Sequence, residues 1–157
     1  MDYDIVHLSP ELLRMHLEDL LVMDEATMGE KWERQHFLLD LPGKWECSWI
    51  VLDGERAVGF VIVSMKPEGL HVHRIAVASS YQGQGLGTRL LQYVAQCAVQ
   101  RNISRITLRV AKQNTEAIGF YHRLGFHQQL AHAELLDLAT AAQILLAASS
   151  NQEMERR

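Results

Sequence analysis

Hydrophobic residues near the start of the chain recur with the period of a helix. Ser9 and Pro10 are typical of a helix N-cap and first turn, and the leucines that follow share one helical face. A second helical run extends over about 28–39. Residues 3–7 are a candidate first strand. The leucines of the first helix are Leu12, Leu13, Leu17, Leu20 and Leu21.

The middle of the chain changes to the alternation of β-strands. Two β-rich runs flank Asp53-Gly54, a strong hairpin signal, and the stretch LHVHRIAVA at 70–78 predicts a third strand. A glycine-rich turn then leads into an amphipathic helix, and RITLRV predicts a further strand. Asn114 is placed to cap a short helix that Gly125 closes.

This order of elements predicts the α+β (mixed α/β) class, because an antiparallel meander continues into a βαβ unit. The tail from residue 127 is open between a strand followed by a helix and a mostly helical segment. Its Ala, Leu and Gln content favours a helix from about Ala133 or Leu138. The 157 residues are enough for a single domain with its own core.

Composition narrows the classes of partner. Net charge is −4 with a pI of about 6.0, so no basic stripe is present to neutralise a nucleic-acid backbone. Mean hydropathy is −0.08, no apolar run is long enough to span a bilayer, and no signal peptide is apparent. Cys47 and Cys97 form no metal or redox motif. We therefore expect a soluble protein of the reducing cytoplasm.

The glycine-rich turn QGQGLG at 82–87 joins a predicted strand to a predicted helix. Free amides at such a helix start favour anions, although the turn could also be sharp and without a ligand. A Walker loop needs Gly-Lys-Ser/Thr, whereas Gly87 is followed by Thr88 and Arg89. A Rossmann motif needs a third glycine where Thr88 stands.

Two sequence blocks carry a family resemblance. Gln82-x-x-Gly85-x-Gly87 resembles the Gln/Arg-x-x-Gly-x-Gly/Ala signature of the GNAT superfamily, the Gcn5-related N-acetyltransferases. The later stretch NTEAIGFYHRLGF is similar to that family's Asn-x-x-Ala-x-x-x-Tyr-x-x-x-Gly-Phe block. The resemblance spans about 56–126. Matching residues of the second block are Asn114, Ala117, Tyr121, Gly125 and Phe126.

The resemblance implies the GNAT fold, a mostly antiparallel twisted sheet with a βαβ cofactor unit flanked by helices. It divides the chain into acceptor-side helices (1–45), a β-meander (46–78), a CoA-binding core (79–126) and an atypical C-terminal tail (127–157), which has no clear match to the family's final pair of strands. It also implies acetyl-CoA as cosubstrate, with pantetheine along the strand before the turn and pyrophosphate on the turn amides. The cofactor residues so implied are Ile75, Ala76, Val77, Gln82, Gly83, Gln84, Gly85, Leu86, Gly87, Thr88, Asn114 and Ala117.

His71 and His73 are candidates for proton transfer. Two residues apart on a strand, both side chains project from one face, and free histidine titrates near 6.5. The pair resembles the His-x-His of the serotonin (arylalkylamine) N-acetyltransferases, and the family role of Tyr121 is the acid that meets the departing thiolate. Two alternatives stay open: a purely structural role for either histidine, and water as the base. Of the two histidines, His73 is slightly preferred as the base. A metal is not expected, because no third ligand has a recognisable spacing.

The predicted function is direct acetyl transfer from acetyl-CoA to a primary amine, most simply of a small molecule. Alternatives are peptide or protein N-acetylation and, in another class, a non-catalytic CoA-binding sensor or interaction protein. Acidic and aromatic residues in the first 49 positions would suit a cationic amine, or are solvated and packing residues. No nucleic-acid or membrane partner is expected, and the family and the tail allow a homodimer.

Overall fold

The computed structural model describes residues 3–27 and 29–155. The longest helix among these residues has sixteen residues and the longest strand has eleven. In chain order the elements are β1 (Asp4–His7), α1 (Pro10–Glu25), α2 (Arg34–Leu38), α3 (Lys44–Cys47), β2 (Trp49–Asp53), β3 (Arg56–Lys66), β4 (Gly69–Val77), α4 (Leu86–Gln100), β5 (Arg105–Ala111), α5 (Thr115–Arg123), β6 (His127–Ala131), β7 (Leu135–Ala141) and α6 (Ala142–Glu155).

Seven strands of the described residues pair in the order β1-β2-β3-β4-β5-β7-β6. Neighbours are antiparallel except β4 and β5, which are parallel and are joined through α4. A parallel pair needs a crossover connection, and the amphipathic helix that the sequence predicted supplies it. The predicted α+β class with one βαβ unit in a mostly antiparallel sheet is confirmed.

Helices cover both faces of the sheet. On one face α1 packs leucines against β3, where Phe60 and Ile62 are fully buried. On the other face α4 buries Leu90, Leu91 and Val94 in a core that also contains Leu145 of α6. No helix within the described part of the chain is long and apolar enough to cross a membrane. The sheet is thus a layer between two apolar cores.

A β-bulge interrupts β4 at His73. Ile62 of β3 pairs with Arg74, and the next residue, Val63, pairs with Val72, which leaves His73 as the extra residue. The bulge changes the alternation of faces: Val72 packs in the α4-side core, whereas Ala76, four residues on, packs in the α1-side core. Regular alternation would have put both side chains on one face.

The tail differs from the helix that composition favoured. Residues Leu135–Ala141 form β7 and pair with β5 along its whole length, and the helix begins only at Ala142. A full ladder and complete burial of Leu138 outweigh the modest helix propensity of Ala and Leu. β6 is an exposed edge strand with mostly polar residues. The prediction of a helix from Ala133 or Leu138 was therefore wrong, and the strand-then-helix alternative holds.

The second predicted helix is much shorter than the run 28–39. Only α2, Arg34–Leu38, is helical, and Met28 lies outside the described residues. The short helix α3 was not predicted. Its Lys44 is fully buried and its Nζ donates to the carbonyls of Phe37 and Leu39, both at 2.5 Å, at the end of α2. Burial lowers the pKa of Lys44 to about 8.

Cys47 of α3 and Cys97 of α4 form a disulfide. The expectation of a reducing compartment rested on the lack of a cysteine motif, and this pairing removes that support. The bond joins positions 50 residues apart and so closes a long loop.

Reduction of this disulfide should destabilise the fold. Loop-closure entropy predicts a loss of about 2–4 kcal/mol in the free energy of unfolding. Urea unfolding with and without reductant measures it, and a Cys47→Ala/Cys97→Ala double variant, which cannot respond to reductant, is the control. An unchanged midpoint on reduction of the parent chain would contradict the prediction.

Candidate active site

The parallel strands β4 and β5 pair only over a short stretch and then separate. Their register is Leu70–Ile106, His71–Thr107 and Val72–Leu108. Beyond it β4 pairs only with β3, as far as Val77, and β5 pairs only with β7, as far as Ala111. Their facing edges border a cavity of about 720 Å³. Main-chain groups along this edge are placed to pair with an extended ligand, as an added strand would.

The glycine turn closes one end of the cavity. Gly83 and Gly85 both have φ of +81°, a conformation that favours glycine, and a Cβ at Gly83 would meet open space. α4 begins at Leu86, so its first amides lack partners within the helix and carry the positive end of its dipole. Gln82 stabilises the turn through a hydrogen bond from its Nε2 to the Val77 carbonyl, at 3.0 Å. This arrangement fits a pyrophosphate.

The predicted residues converge on this one cavity, with a single exception. Gln84 does not line it, and its Oε1 accepts from the Tyr3 hydroxyl at 2.6 Å. Asn114 lines the cavity while its Oδ1 caps α5 by accepting from the Ala117 amide at 3.2 Å. The residues that do line it are His71, His73, Ile75, Ala76, Val77, Gln82, Gly83, Gly85, Leu86, Gly87, Thr88, Asn114, Ala117 and Tyr121.

The two histidines share one face and contact each other, with ring centroids 4.8 Å apart. Each is also hydrogen-bonded to a hydroxyl on a neighbouring strand. His71 Nδ1 lies 2.7 Å from Thr107 Oγ1, and His73 Nε2 lies 2.7 Å from Ser64 Oγ. Neither hydroxyl can be recognised from the sequence, because each becomes a neighbour of its histidine only through the register of the sheet. Each bond fixes the orientation of one ring.

Both imidazoles are neutral at pH 7. Burial lowers the pKa of His71 and of His73 to about 4. Nearby positive charges contribute: Lys66 lowers the pKa of both, Arg109 lowers that of His71, and a charged His71 lowers that of His73. A neutral imidazole can accept a proton, although at this pKa it is a weaker base than free histidine.

Tyr121 reaches the cavity from α5, the short helix that Asn114 caps. Its ring packs against Phe126, with centroids 5.5 Å apart, and it is 8% exposed. Burial raises the pKa of Tyr121 to about 12, so the phenol keeps its proton at neutral pH. A buried, protonated hydroxyl is suited to donate rather than to accept a proton.

The acids of the first helices do not form a cluster that faces the cavity. Of the carboxylates in the stretch from α1 to α2, Glu30 is the one that lines it. Glu18 pairs with Arg34, and Asp24, 2% exposed, pairs with Arg74 of β4. The reading of these residues as solvated or structural therefore fits most of them better than a role in attracting a cation.

Arg109 of β5 is held by an ion pair inside the cavity wall. Its Nε donates to Asp137 Oδ1 at 2.7 Å, and His132 Nε2 lies 2.8 Å from the other carboxylate oxygen. The hydrogen bond from Arg109 lowers the pKa of Asp137, which stays ionised at neutral pH. Because its oxygens are already hydrogen-bonded to Arg109 and His132, Asp137 is poorly placed to act as a base.

The chain resembles known acetyltransferases over most of its length. The GNAT acetyltransferase family model matches residues 11–126. A 5-NmdU N-acetyltransferase of Pseudomonas phage PaMx11 is 46% identical over 116 residues, which cover 71% of this chain and 79% of that protein. N-alpha-acetyltransferase 30 of Schizosaccharomyces pombe is 28% identical over 124 residues, 71% of this chain and 77% of that protein.

A solved structure shares the fold. Arabidopsis thaliana Naa50, in complex with the bisubstrate analogue CoA-Ac-MVNAL, superposes with a TM-score of 0.70 at 18% identity, covering 89% of this chain and 99% of that one. Several solved structures with this fold contain CoA or a CoA-derived analogue. The resemblance predicted from the two sequence blocks is thus confirmed: this chain belongs to the GNAT family and is an acyltransferase.

Proposed function

We propose that the chain transfers an acetyl group from acetyl-CoA directly to the primary amine of a small molecule. The observation that supports it best is the shared cavity: the cleft suited to CoA, the neutral histidines and the protonated Tyr121 all line one space. Pantetheine would lie along 75–77 and pyrophosphate on the amides that follow Gly83. No covalent enzyme intermediate is needed.

The lowered pKa of His73 bears on the step at which it accepts the proton of the amine nitrogen. An alkylammonium ion is a much weaker acid than an imidazolium of pKa about 4, so His73 would deprotonate it poorly. Once nitrogen has attacked the thioester carbonyl, the N–H of the tetrahedral adduct is far more acidic. We therefore propose that the amine attacks uncharged and that His73, beside His71, accepts the proton from the adduct.

The departing sulfur needs a proton as the C–S bond breaks. Tyr121 is the donor we propose, because it lines the cavity and its pKa of about 12 keeps it protonated at neutral pH. Burial in the same site also raises the pKa of the departing thiol, which favours transfer of the proton to sulfur as its charge develops. The balance is simple: the nitrogen–acyl bond forms, the carbon–sulfur bond breaks, one proton leaves nitrogen and one reaches sulfur. The imidazolium and the phenolate then exchange a proton through solvent.

The acceptor is proposed from the relatives and from charge. The relative at 46% identity is named for 5-NmdU, which makes 5-NmdU the first acceptor to test. A net charge of −4 argues for a free small molecule rather than a polymer with many phosphates. An α-amino group of a peptide is the second candidate, because of the likeness to N-alpha-acetyltransferase 30.

Thiol release from acetyl-CoA over a panel of amines tests the proposal. We expect turnover with free 5-NmdU or another small primary amine, and lower kcat/KM with 5-NmdU in an oligonucleotide or with peptides. Preference for a peptide would replace the small-molecule acceptor with the second candidate. Stoichiometric CoA binding without turnover on any amine would overturn the catalytic proposal in favour of a sensor.

A further inference from the structure

A buried ion pair joins the end of α1 to the centre of the cavity wall. Asp24 Oδ1 accepts from Nε of Arg74 at 2.6 Å and lies 2.5 Å from its Nη2. The two side chains are 2% and 15% exposed, and the residues are 50 positions apart in the sequence. Removing one partner of such a pair would leave a buried charge unsatisfied, so the contact is strongly constrained.

The same carboxylate also holds the backbone shortly before α2. Its other oxygen, Oδ2, accepts from the backbone amide of Trp32 at 3.0 Å. The Thr27 hydroxyl donates to the Asp24 carbonyl at 2.7 Å and accepts from Arg74 Nη2 at 3.3 Å. The Asp24 carboxylate thus holds Arg74 and the backbone at Trp32, while the Thr27 hydroxyl links the Asp24 main-chain carbonyl to Arg74.

Trp32, whose backbone amide is held by Asp24, packs against His73, the proposed base. The Trp32 ring centroid lies 5.8 Å from that of His73, 5.9 Å from the Arg74 guanidinium carbon and 5.2 Å from the Phe37 ring. Because β4 is bulged at His73, the side chains of His73 and Arg74 both lie on the α1 side. Trp32 therefore supports the imidazole from a segment without regular secondary structure; it does not itself line the cavity, whereas His73 and Arg74 do.

We infer that Asp24 and Arg74 are positioning residues that hold Trp32 against His73 and so determine how tightly the acceptor binds. This inference rests on the function proposed above. Neither residue needs to touch the reacting atoms. Their effect passes through the Trp32 backbone, so it should fall on the acceptor and not on acetyl-CoA, whose cleft lies beyond Arg74 along β4 and at the start of α4.

Asp24→Asn tests the inference with the amine that the parent chain turns over best. We expect the acceptor KM to rise about tenfold or more, while the Kd of acetyl-CoA stays within about twofold. Trp32→Ala should raise the acceptor KM similarly, and Asp24→Asn should add little in that background, because the two changes act through one contact. Independent, additive effects would overturn the inference.

A spectroscopic readout separates this inference from the proposed function. The sequence has three tryptophans, and a variant with both Trp45→Phe and Trp49→Phe retains Trp32 alone. Asp24→Asn should then shift its emission to the red as the ring is released to solvent. An unshifted emission overturns the inference even if the enzyme is active. A parent chain without turnover overturns the proposed function, yet leaves this readout decisive.

Matched variants guard against a general loss of structure. Glu18→Gln removes an exposed ion pair from the same helix, that with Arg34, and should change neither the acceptor KM nor the emission. Should Asp24→Asn fail to fold, Arg74→Lys keeps the positive charge but loses the Nε and Nη2 contacts, and the same red shift and KM increase are expected. An equal rise in acetyl-CoA Kd for either variant would overturn the inference.

Discussion

Tyr121→Phe is expected to lower kcat by about 10²- to 10⁴-fold, the usual contribution of a general acid. Phenylalanine keeps the ring that packs on Phe126, so the cavity wall should be preserved. The Kd of acetyl-CoA should change by less than about twofold, because the lost hydroxyl acts on the departing sulfur and not on the bound ground state. Steady-state kinetics at saturating amine, with calorimetry for acetyl-CoA, measure both quantities.

Tyr93→Phe is the matched control for this loss of a hydroxyl. Tyr93 lies on α4, packs against Trp49 with ring centroids 4.8 Å apart and does not line the cavity. Its variant should retain the parent kcat. If Tyr121→Phe also retains it at saturating amine, Tyr121 is a packing residue and solvent protonates the thiolate.

The second large effect concerns the histidines and pH. A base must be neutral to accept a proton, so activity should be lost as pH falls through the histidine pKa. That pKa is about 4 for both His71 and His73. Once the rate is referred to the uncharged amine, whose own protonation gives a separate limb, the histidine limb of the profile lies near pH 4 and not near 6.5. His73→Ala should lower kcat by about 10²- to 10⁴-fold at pH 7 and abolish this limb.

His71→Ala and His122→Ala complete this set. His71→Ala removes a ring that packs against His73 and whose positive charge lowers the pKa of His73. The acidic limb of the profile should therefore move to higher pH in this variant. His122 is exposed on α5 and lies outside the cavity lining, and its variant should keep the parent profile. A parent limb near 6.5 would contradict the effect of burial, and an unchanged limb in both active-site variants would assign the base to water.

Regular elements could be predicted where burial follows local periodicity. Leu90, Leu91 and Val94 of α4 are all fully buried, as the helical period required. The prediction for the tail failed because the decisive interaction is distant in the sequence. β7 is a strand because it pairs with β5, and the paired residues are 24–36 positions apart. Helix propensity alone could not reveal that ladder.

The candidate site also has one part that could be predicted from the sequence and one part that could not. Motif spacing identified the turn around Gly83 and the second block with Tyr121, since a backbone turn and a cap need particular residues at fixed separations. The contacts that tune the site were missed. Ser64 and Thr107 reach the histidines from neighbouring strands, and Asp24 reaches Arg74 from a helix, so each depends on tertiary register rather than on local pattern.

The bulge at His73 links the shape of the cleft to its chemistry. The one extra residue lies where β4 leaves β5, and it also rotates Arg74 toward Asp24. Deleting one residue here would be expected to restore a regular ladder and to turn the side chains that follow to the opposite face. The single extra residue thus sets both the strand edge that borders the cavity and the face from which Arg74 reaches Asp24.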